Sequence, residues 1–255
     1  MSESAEDVRL NFRGTYENLA QHSPKGATEQ FGAVTAISAG MPTPVFNRVF
    51  VFEPFGKADL MAAIDWFTNR DDPFWVTGLE TLREDIEEAF TDDSYEKSDP
   101  AQPGMSCTLP SDFPSTDTDI EFITVTEETE RNGWTSVAES VFEFSDETNR
   151  LLTPQSLLDN QDVQFLVGRV DEKPVSCGML SLSGTAAGVY VIGVLEEFRR
   201  RGFGEAMTWE VLREGQTRGA EVGVLLSRQM AIPLYERMGF ETVTKFRHFA
   251  KDSWL

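Results

Sequence analysis

The residues whose types and spacing can do chemistry lie in the last quarter of the chain. The stretch "RRRGFG" reads R-x-x-G-x-G from Arg199 to Gly204, between a strand-like run that ends at Val194 and a helix-like run that begins near Gly202. Unpaired N–H groups at a helix start point outward together, and the helix dipole adds positive potential there. Glycine lets the backbone approach a ligand without an intervening Cβ. The pattern therefore predicts an anion site that suits a diphosphate.

A second segment of the same quarter carries a tyrosine. The run "AIPLYERMGF" follows another strand-like segment and places Tyr235 in a short helix. Neither the dinucleotide pattern G-x-G-x-x-G nor the phosphate-loop pattern G-x-x-x-x-G-K-[ST] is present. His22 and His248 are the only histidines, and neither lies near a G-x-S-x-G motif, which argues against a histidine-dependent hydrolase. The isolated Cys107 and Cys177 argue against a metal site.

Charge is distributed unevenly along the chain. There are 43 acidic and 22 basic residues, for a formal net charge of -21, yet residues 190–255 carry 9 acidic and 10 basic side chains. A need for an anion-tolerant surface in this region would explain the lower acidity, and a solvated basic helix face is the alternative. The acidity elsewhere is typical of adaptation to high salt, where screening suppresses self-repulsion, and an ordinary acidic protein is the alternative. Nucleic acid is disfavoured as a partner because so acidic a chain repels phosphates.

Apolar periodicity predicts strands and helices in both halves of the chain. In the first half the predicted order is two strands, a helix, a strand, a helix and a strand. In the second half it is a strand, two helices, a hairpin, a buried strand, and then helix and strand alternating to the end. The glycine motif falls between the buried strand "GVYVIGVL" and the helix "GFGEAMTWEVLREGQTRGA". This order favours the α+β class, with a mixed α/β sheet.

A segment rich in Pro, Ser, Thr and Asp, "LPSDFPSTDTD" at residues 109–119, predicts a domain boundary. We therefore expect a first domain over residues 1–118 and a second over residues 119–255. No apolar run approaches the roughly 20 residues that span a bilayer, and the acidic amino terminus lacks the pattern of a secretory or transit peptide. The expected location is the cytoplasm, with no membrane partner.

The two motifs together resemble the GCN5-related N-acetyltransferase (GNAT) superfamily. "VLEEFRRRGFGEAM" is similar to its acetyl-CoA loop and "LLSRQMAIPLYERMGF" to its later helix with a tyrosine, and the likeness covers residues from about 119 to 250. It implies the GNAT fold, a central and largely antiparallel sheet flanked by helices. It also implies acetyl-CoA as cosubstrate, no metal, and transfer of an acetyl group to a primary amine of a small molecule or peptide.

The resemblance further implies which residues hold the cosubstrate. The backbone of Ile192, Gly193 and Val194 would pair with the pantetheine arm as one strand pairs with another. Arg199 occupies the first position of the loop motif, where the family commonly has Gln or Arg. The diphosphate would rest on the amides of the next six residues, which are Arg200, Arg201, Gly202, Phe203, Gly204 and Glu205. The side chains of the two arginines could add charge-assisted hydrogen bonds, and a solvated turn is the alternative.

Tyr235 stands where the family places its general acid, which protonates the leaving CoA thiolate. A phenol with a pKa of about 10 gives its proton to the anion of a thiol with a pKa of about 8.5 only when hydrogen-bonded nearby, so geometry decides. A tyrosine of the core is the alternative.

Two positions depart from the family. Arg228 replaces a frequent Asn, and Gly223 stands where some members carry a glutamate base. With no base assigned, direct attack by an already neutral amine is expected, and Ser227 and Tyr190 are candidate orienting groups. A catalytically inactive acyl-CoA-binding sensor or scaffold is the competing hypothesis.

The first half lacks the loop motif, and its order of elements resembles a reduced GNAT-like half without cofactor. Residues 1–118 are expected to extend the sheet and to wall the acceptor pocket. Phe46, Phe74 and Trp75 are candidate lining residues, with a core position as the alternative. Acceptor identity, acyl-chain preference and oligomeric state do not follow from the resemblance.

Overall fold

The computed structural model describes residues 2–90, 94–116 and 118–251, which form one sheet with helices on both faces. The helices are α1 (Glu3–His22), α2 (Lys57–Arg70), α3 (Arg83–Ala89), α4 (Glu128–Phe142), α5 (Asp146–Leu152), α6 (Gln155–Leu158), α7 (Phe203–Thr217) and α8 (Ile232–Arg237). The strands are β1 (Ala27–Phe31), β2 (Val34–Ser38), β3 (Asn47–Val51), β4 (Trp75–Leu79), β5 (Tyr95–Lys97), β6 (Gln102–Thr108), β7 (Glu121–Thr124), β8 (Val163–Val170), β9 (Lys173–Ser183), β10 (Ala186–Val194), β11 (Val222–Leu226) and β12 (Glu241–Lys251).

The strand order in the sheet is β1-β2-β3-β4-β12-β6-β11-β10-β9-β8-β7, and β5 pairs with the end of β12. Two neighbouring pairs are parallel, β3 with β4 and β10 with β11. The other pairs are antiparallel. A parallel pair needs a crossover, which α2 supplies for the first pair and α7 for the second. The predicted mixed α/β class with a largely antiparallel sheet is confirmed.

The two parts of the sequence exchange their last strands. From the first part, β6 lies between β11 and β12, with Gly104 opposite Leu226. From the second part, β12 lies between β4 and β6, with His248 opposite Thr77. Neither part therefore completes its sheet alone. The division at residues 118 and 119 stays a prediction, and Asp117 within the boundary segment lies outside the described residues.

Helix α1 is not among the elements predicted from the sequence. Ser2 caps it by accepting a hydrogen bond from the N–H of Ala5, and Glu3 and Glu6 lie in the first turn, where negative charge is favourable. The helix packs on the face of β6, β9, β10 and β11. The large apolar side chains that it buries are Val8, Phe12, Tyr16 and Leu19. These positions are spaced by four, four and three residues, so the helical periodicity of α1 is present in the sequence.

One predicted helix is interrupted in the structure. The sequence pattern predicts a continuous helix over residues 146–160, whereas α5 ends at Leu152 and α6 begins after Pro154. Proline has no N–H to donate and its ring clashes with the preceding turn, so the helix restarts there.

The two faces of the sheet carry different helices. On β9, Cys177 and Met179 belong to the core under α4, whereas Leu180 belongs to the core under α7. Alternation along the strand produces this division, because successive side chains point to opposite faces. Helix α1 lies on the same face as α4, since the sheet residue Gly188 faces Asn11 of α1. The β10–β11 pair is thus covered by α7 on one face and by α1 on the other.

The high negative charge predicts a stability that depends on salt. We expect the free energy of unfolding to rise as KCl is raised, because the Debye length falls from about 10 Å at 0.1 M to about 3 Å at 1 M and screens the repulsion between carboxylates. Urea unfolding followed by circular dichroism at a series of KCl concentrations measures this. Sucrose of equal osmolality is the control for general exclusion from the surface. Undiminished stability in dilute buffer would contradict adaptation to high salt.

Candidate active site

Strands β10 and β11 run together and then separate. They pair in parallel from Ala186 to Val189 of β10, and the pairing stops there. Beyond that point the register between β10 and β9 shifts between Tyr190 and Gly193, and Val191 has a φ of 51°. A β-branched residue with positive φ is a backbone outlier that its surroundings must hold in place. The bulge therefore marks the end of β10 as a strained segment beside a gap in the sheet.

The end of β10 offers one free edge. The N–H of Leu195 donates to the carbonyl of Val175 on β9 at 3.0 Å. Since alternate residues direct their backbone groups to opposite edges, Gly193 faces β9, whereas Ile192 and Val194 face the gap. Of the three residues predicted to pair with a pantetheine arm, the geometry thus leaves two on the open side, and the Val194 carbonyl there already accepts a hydrogen bond from Arg199 Nε at 3.1 Å.

A glycine turn joins β10 to helix α7. A short 3-10 turn over Glu196–Phe198 is followed by Arg200 with a φ of 64° and Gly202 with a φ of 82°. The first hydrogen bond of α7 runs from the N–H of Ala206 to the carbonyl of Gly202 at 2.9 Å. The amides that precede Ala206 in the helix have no acceptor within it and point outward from its start. These amides belong to Phe203, Gly204 and Glu205.

The three arginines of the turn have different surroundings. Arg199 donates from Nε to the carbonyl of Val194 at 3.1 Å, and Arg201 donates to the carbonyl of Glu197 at 3.3 Å and lies over a phenyl ring. Arg200 forms no hydrogen bond or ion pair with any residue that the structure describes, and its side chain is exposed. Two arginines thus hold the turn, and Arg200 is the one left available to an anion.

Tyr235 lies against the first turns of α7. Its side chain is 9% exposed, and its ring meets the edge of Phe240 at 5.7 Å between centroids. Burial raises the pKa of Tyr235, and the nearby Thr208 hydroxyl partly opposes that rise. Thr208 in turn donates to the carbonyl of Gly204 at 2.8 Å. The phenol is therefore a core group and also a neighbour of the glycine turn, through one threonine.

The candidate orienting groups have structural partners. Tyr190 donates from its hydroxyl to Asn11 Oδ1 at 2.8 Å, and burial raises the pKa of Tyr190. Ser227 donates to the carbonyl of Arg228 at 2.9 Å. The same Asn11 donates to the carbonyl of Ser181 at 2.8 Å. Tyr190 thus anchors α1 to the sheet, a contact between residues too distant in sequence for any local pattern to reveal.

Removal of the Tyr190 hydroxyl tests this assignment. We expect Tyr190→Phe to lower the free energy of unfolding by about 1–2 kcal/mol, because the buried oxygen of Asn11 loses its donor. Turnover should be retained, since the hydroxyl is directed at α1. Denaturant unfolding and steady-state kinetics measure the two effects. A large loss of kcat with unchanged stability would instead make Tyr190 an orienting group of the reaction.

The aromatic residues proposed to line a pocket separate into two groups. Phe46 is buried against Phe144, with ring centroids 5.3 Å apart, in the core cluster that Tyr190 and Val191 border. Phe74 instead stacks on a phenyl ring of α2 at 4.6 Å, on the opposite face of the sheet, and is a core residue. Trp75 is half-buried beneath a guanidinium. Only Phe46 is in contact with the part of the molecule that holds the bulge.

The two cysteines are buried and do not contribute a reactive group to the site. Burial raises the pKa of the Cys107 thiol to about 12 and that of Cys177 further, so neither is a ready thiolate. Over the described ranges, no three residues of His, Cys, Asp or Glu are placed to hold a metal ion. Among the helices of the described residues, none is long and apolar enough to cross a membrane.

A largely antiparallel sheet with helices on both faces, a strand bulge and a glycine turn before a helix is an architecture found in acyltransferases. A profile of the Acetyltransferase (GNAT) family matches residues 111–240, so the chain belongs to that family. A relative is serotonin N-acetyltransferase from Mesocricetus auratus, 29% identical over 127 residues. That match covers 46% of this chain and 61% of the relative's length, so the chain spans less than two thirds of it.

Solved structures share the fold over nearly the whole chain. A GCN5-related N-acetyltransferase from Kribbella flavida superposes with a TM-score of 0.73 at 17% identity, covering 99% of this chain and 96% of that one. A tandem GNAT protein from the clavulanic acid biosynthesis pathway superposes with a TM-score of 0.61 at 13% identity, covering 90% and 84%. The family uses acetyl-CoA and transfers acetyl groups.

Proposed function

We propose that the chain is an N-acetyltransferase that uses acetyl-CoA and acts on a primary amine of a small molecule or peptide. The observation that carries the proposal is the continuity of an open strand edge with a helix start. Ile192 and Val194 direct backbone groups into the gap beside β10, and the free amides of α7 begin a few residues later. An acyl-CoA has a pantetheine arm that suits the first and a diphosphate that suits the second. The fit of these residues supports acetyl-CoA as cosubstrate.

The proposed binding residues have different roles in holding the diphosphate. Gly202 and Gly204 allow close approach to the amides from Arg200 to Glu205, and Arg200 supplies a free guanidinium. Arg199 and Arg201 keep the turn in shape through carbonyl contacts. Most of the binding free energy should therefore come from backbone N–H groups.

The proposed reaction is direct transfer in the gap between β10 and β11. Acetyl-CoA supplies the activated acetyl group. The amine nitrogen forms a bond to the carbonyl carbon, the carbon–sulfur bond breaks, and the nitrogen loses its extra proton to solvent. Tyr235 gives its proton to the leaving sulfur and regains one from water. Because burial raises the pKa of Tyr235, the phenol is protonated at neutral pH, as a general acid must be.

The first half is proposed to wall the acceptor pocket. Phe46 and Val45, from the loop before β3, belong to or border the same core cluster as Val191 and Phe144. Residues from both parts of the sequence thus meet beside the strand bulge. An amine that arrives already neutral needs no general base. The reaction can therefore proceed although residue 223 is glycine, where some members carry a glutamate base, and residue 228 is arginine, where Asn is frequent.

Measurements of acetyl-CoA binding and of CoA release together distinguish the proposed enzyme from an inactive sensor. The departures at residues 223 and 228 favour the sensor as the second candidate. Acetyl-CoA binding is measured by calorimetry, and release of CoA is then followed with a panel of primary amines. We expect binding, and release with some members of the panel. Binding without release across the panel would favour the sensor, and no binding of any acyl-CoA would defeat both.

A further inference from the structure

Arg48 of β3 is a buried cation in the first half of the chain. It is 4% exposed, and its guanidinium lies over the rings of Trp75 at 4.3 Å and Tyr16 at 5.6 Å. The acceptors of its hydrogen bonds are all neutral, and they are the Tyr16 hydroxyl at 3.3 Å, the Val45 carbonyl at 3.2 Å, the Thr77 hydroxyl at 3.0 Å and His248 Nδ1 at 3.2 Å. Within the part of the chain that the structure describes, the positive charge is therefore stabilised by dipoles and aromatic rings, without a counter-ion.

No carboxylate of the described residues forms an ion pair with Arg48. Its Nη2 atom has no acceptor among them, and it is not one of the fully buried polar atoms left without a partner, so it meets solvent. Arg247 shows the usual arrangement in this chain, since both oxygens of Glu80, at 2.7 and 2.8 Å, and Asp99 hold its guanidinium. A buried charge without such a partner is costly unless a ligand completes it.

His248 contacts Arg48 but cannot act as its counter-ion. Gln102 Oε1, which can only accept, lies 2.7 Å from Nε2, and Arg48, which can only donate, lies at Nδ1. The ring is thus the neutral tautomer with its proton on Nε2. Burial, with Arg48 and Arg247 nearby, holds the pKa of His248 well below its usual value. Gln102 and His248 therefore position the guanidinium without neutralising its charge.

The guanidinium lies at the same end of the sheet as the gap between β10 and β11, on the face that carries α1. His248 is on β12, which only β6 separates from β11, so two strand spacings of about 4.8 Å separate these strands laterally by roughly 10 Å. Along the strand direction His248 lies beyond the end of β11, since Phe246 is opposite Gln102 and Leu226 is opposite Gly104. Gln102 precedes Gly104, which is opposite Leu226 at the end of β11, so this cluster lies at the end where β11 leaves β10. Val45, which accepts from Arg48, borders the same core cluster as the strand bulge.

We propose that Arg48 binds a carboxylate of the acceptor, so that the substrate is an amine that also carries a carboxylate group. This inference rests on the proposed function for the position of the reacting amine. The lateral distance between β12 and β11 indicates that the amine and the carboxylate are separated by several bonds, at least about 10 Å when extended. An acidic first half with one buried, uncompensated arginine fits recognition of a zwitterion: the surface attracts the ammonium group and Arg48 selects the carboxylate.

Matched acceptors test the proposal with the full chain. Each ω-amino acid from 4-aminobutanoate to 8-aminooctanoate is compared with its own carboxamide, which has nearly the same shape without the charge. We expect kcat/KM for the acid to exceed that for the amide roughly ten-fold or more in the longer members, as a charge-assisted bidentate contact allows. In Arg48→Gln the ratio of acid to amide should fall toward one, chiefly through KM, and Arg48→Lys should retain part of it.

Two controls distinguish loss of the carboxylate contact from a general effect of the substitution. Arg70→Gln removes an arginine that also lies over a tryptophan ring, Trp66 at 4.7 Å, but on the surface of the first half, and should leave the ratio unchanged. The Kd for acetyl-CoA in each variant reports whether the fold is intact. An acid-to-amide ratio near one in the native chain, or the same ratio in Arg48→Gln, would overturn the proposal.

A binding measurement covers the case in which no amine releases CoA. That result would defeat the proposed function, and the carboxylate site is then tested by titrating 6-acetamidohexanoate and its amide into the chain saturated with CoA. Tighter binding of the acid, lost in Arg48→Gln or weakened in Arg48→Lys, would support the site. Equal binding of acid and amide would overturn it.

Discussion

Gly204→Val is expected to raise the Kd for acetyl-CoA roughly ten-fold or more, which corresponds to at least about 1.4 kcal/mol. Gly204 lies in the first turn of α7, and a Cβ there would meet only Val194 Cγ2 at 3.8 Å, an ordinary contact. The protein itself therefore tolerates the side chain. The added atoms instead occupy the space through which the diphosphate reaches the helix amides. Calorimetric titration with acetyl-CoA measures the change, and thermal unfolding checks that the fold is retained.

Arg201→Ala is the matched control for the contribution of charge. Its guanidinium is engaged with the Glu197 carbonyl and the Phe198 ring, so its loss should weaken binding only about two- to three-fold, as expected for one exposed charge. Gly202→Ala adds a second comparison, because a side chain at a φ of 82° costs about 1–2 kcal/mol of backbone strain. If Arg201→Ala weakened binding more than Gly204→Val, side-chain charge and not the backbone would dominate the site.

Tyr235→Phe is expected to lower kcat roughly ten-fold or more with little change in the Kd for acetyl-CoA. Phenylalanine keeps the ring packed against Phe240 and removes only the proton donor. The thiolate must then take its proton from water, which is not held in position. Rapid-quench or steady-state measurement of CoA release, with Kd determined in parallel, separates the two effects.

The pH dependence gives an independent test of the Tyr235 assignment. A raised folded-state pKa keeps the phenol protonated beyond its ordinary range, so kcat of the native chain should not fall between pH 7 and pH 9 through loss of this proton. Over the same range kcat/KM should rise as the amine substrate becomes neutral. Thr208→Val, which removes the neighbouring hydroxyl but not the phenol, is the control and should change kcat less than Tyr235→Phe. Unaltered turnover in Tyr235→Phe would remove the catalytic role.

The local part of the site could be predicted because its signals are contiguous in the sequence. The spacing of Arg199, Gly202 and Gly204 after a strand determines a turn with positive φ and a helix start, and the structure has both. Backbone geometry of this kind depends on residue type over a few positions. The same applies to the parallel β10–β11 pair, whose crossover helix is strongly periodic.

Residue roles were harder to predict than positions. The sequence places three arginines in the turn, but only their neighbours reveal that Arg199 and Arg201 hold carbonyls while Arg200 is free. Phe46 and Phe74 are equivalent in a pattern of apolar residues, yet they lie on opposite faces of the sheet. Side-chain roles of this kind depend on packing, which no short stretch encodes.

By itself, the sequence determined the family, the class of fold, the glycine turn before α7 and the tyrosine that follows it. Only the tertiary structure decided that the two parts exchange β6 and β12, that α1 closes one face of the gap through Asn11, and that Arg48 meets His248. The physical reason is the range of the interactions. Turn conformation and helix starts are fixed by neighbouring residues, whereas strand exchange and buried polar networks depend on contacts that form between distant segments when the whole sheet assembles.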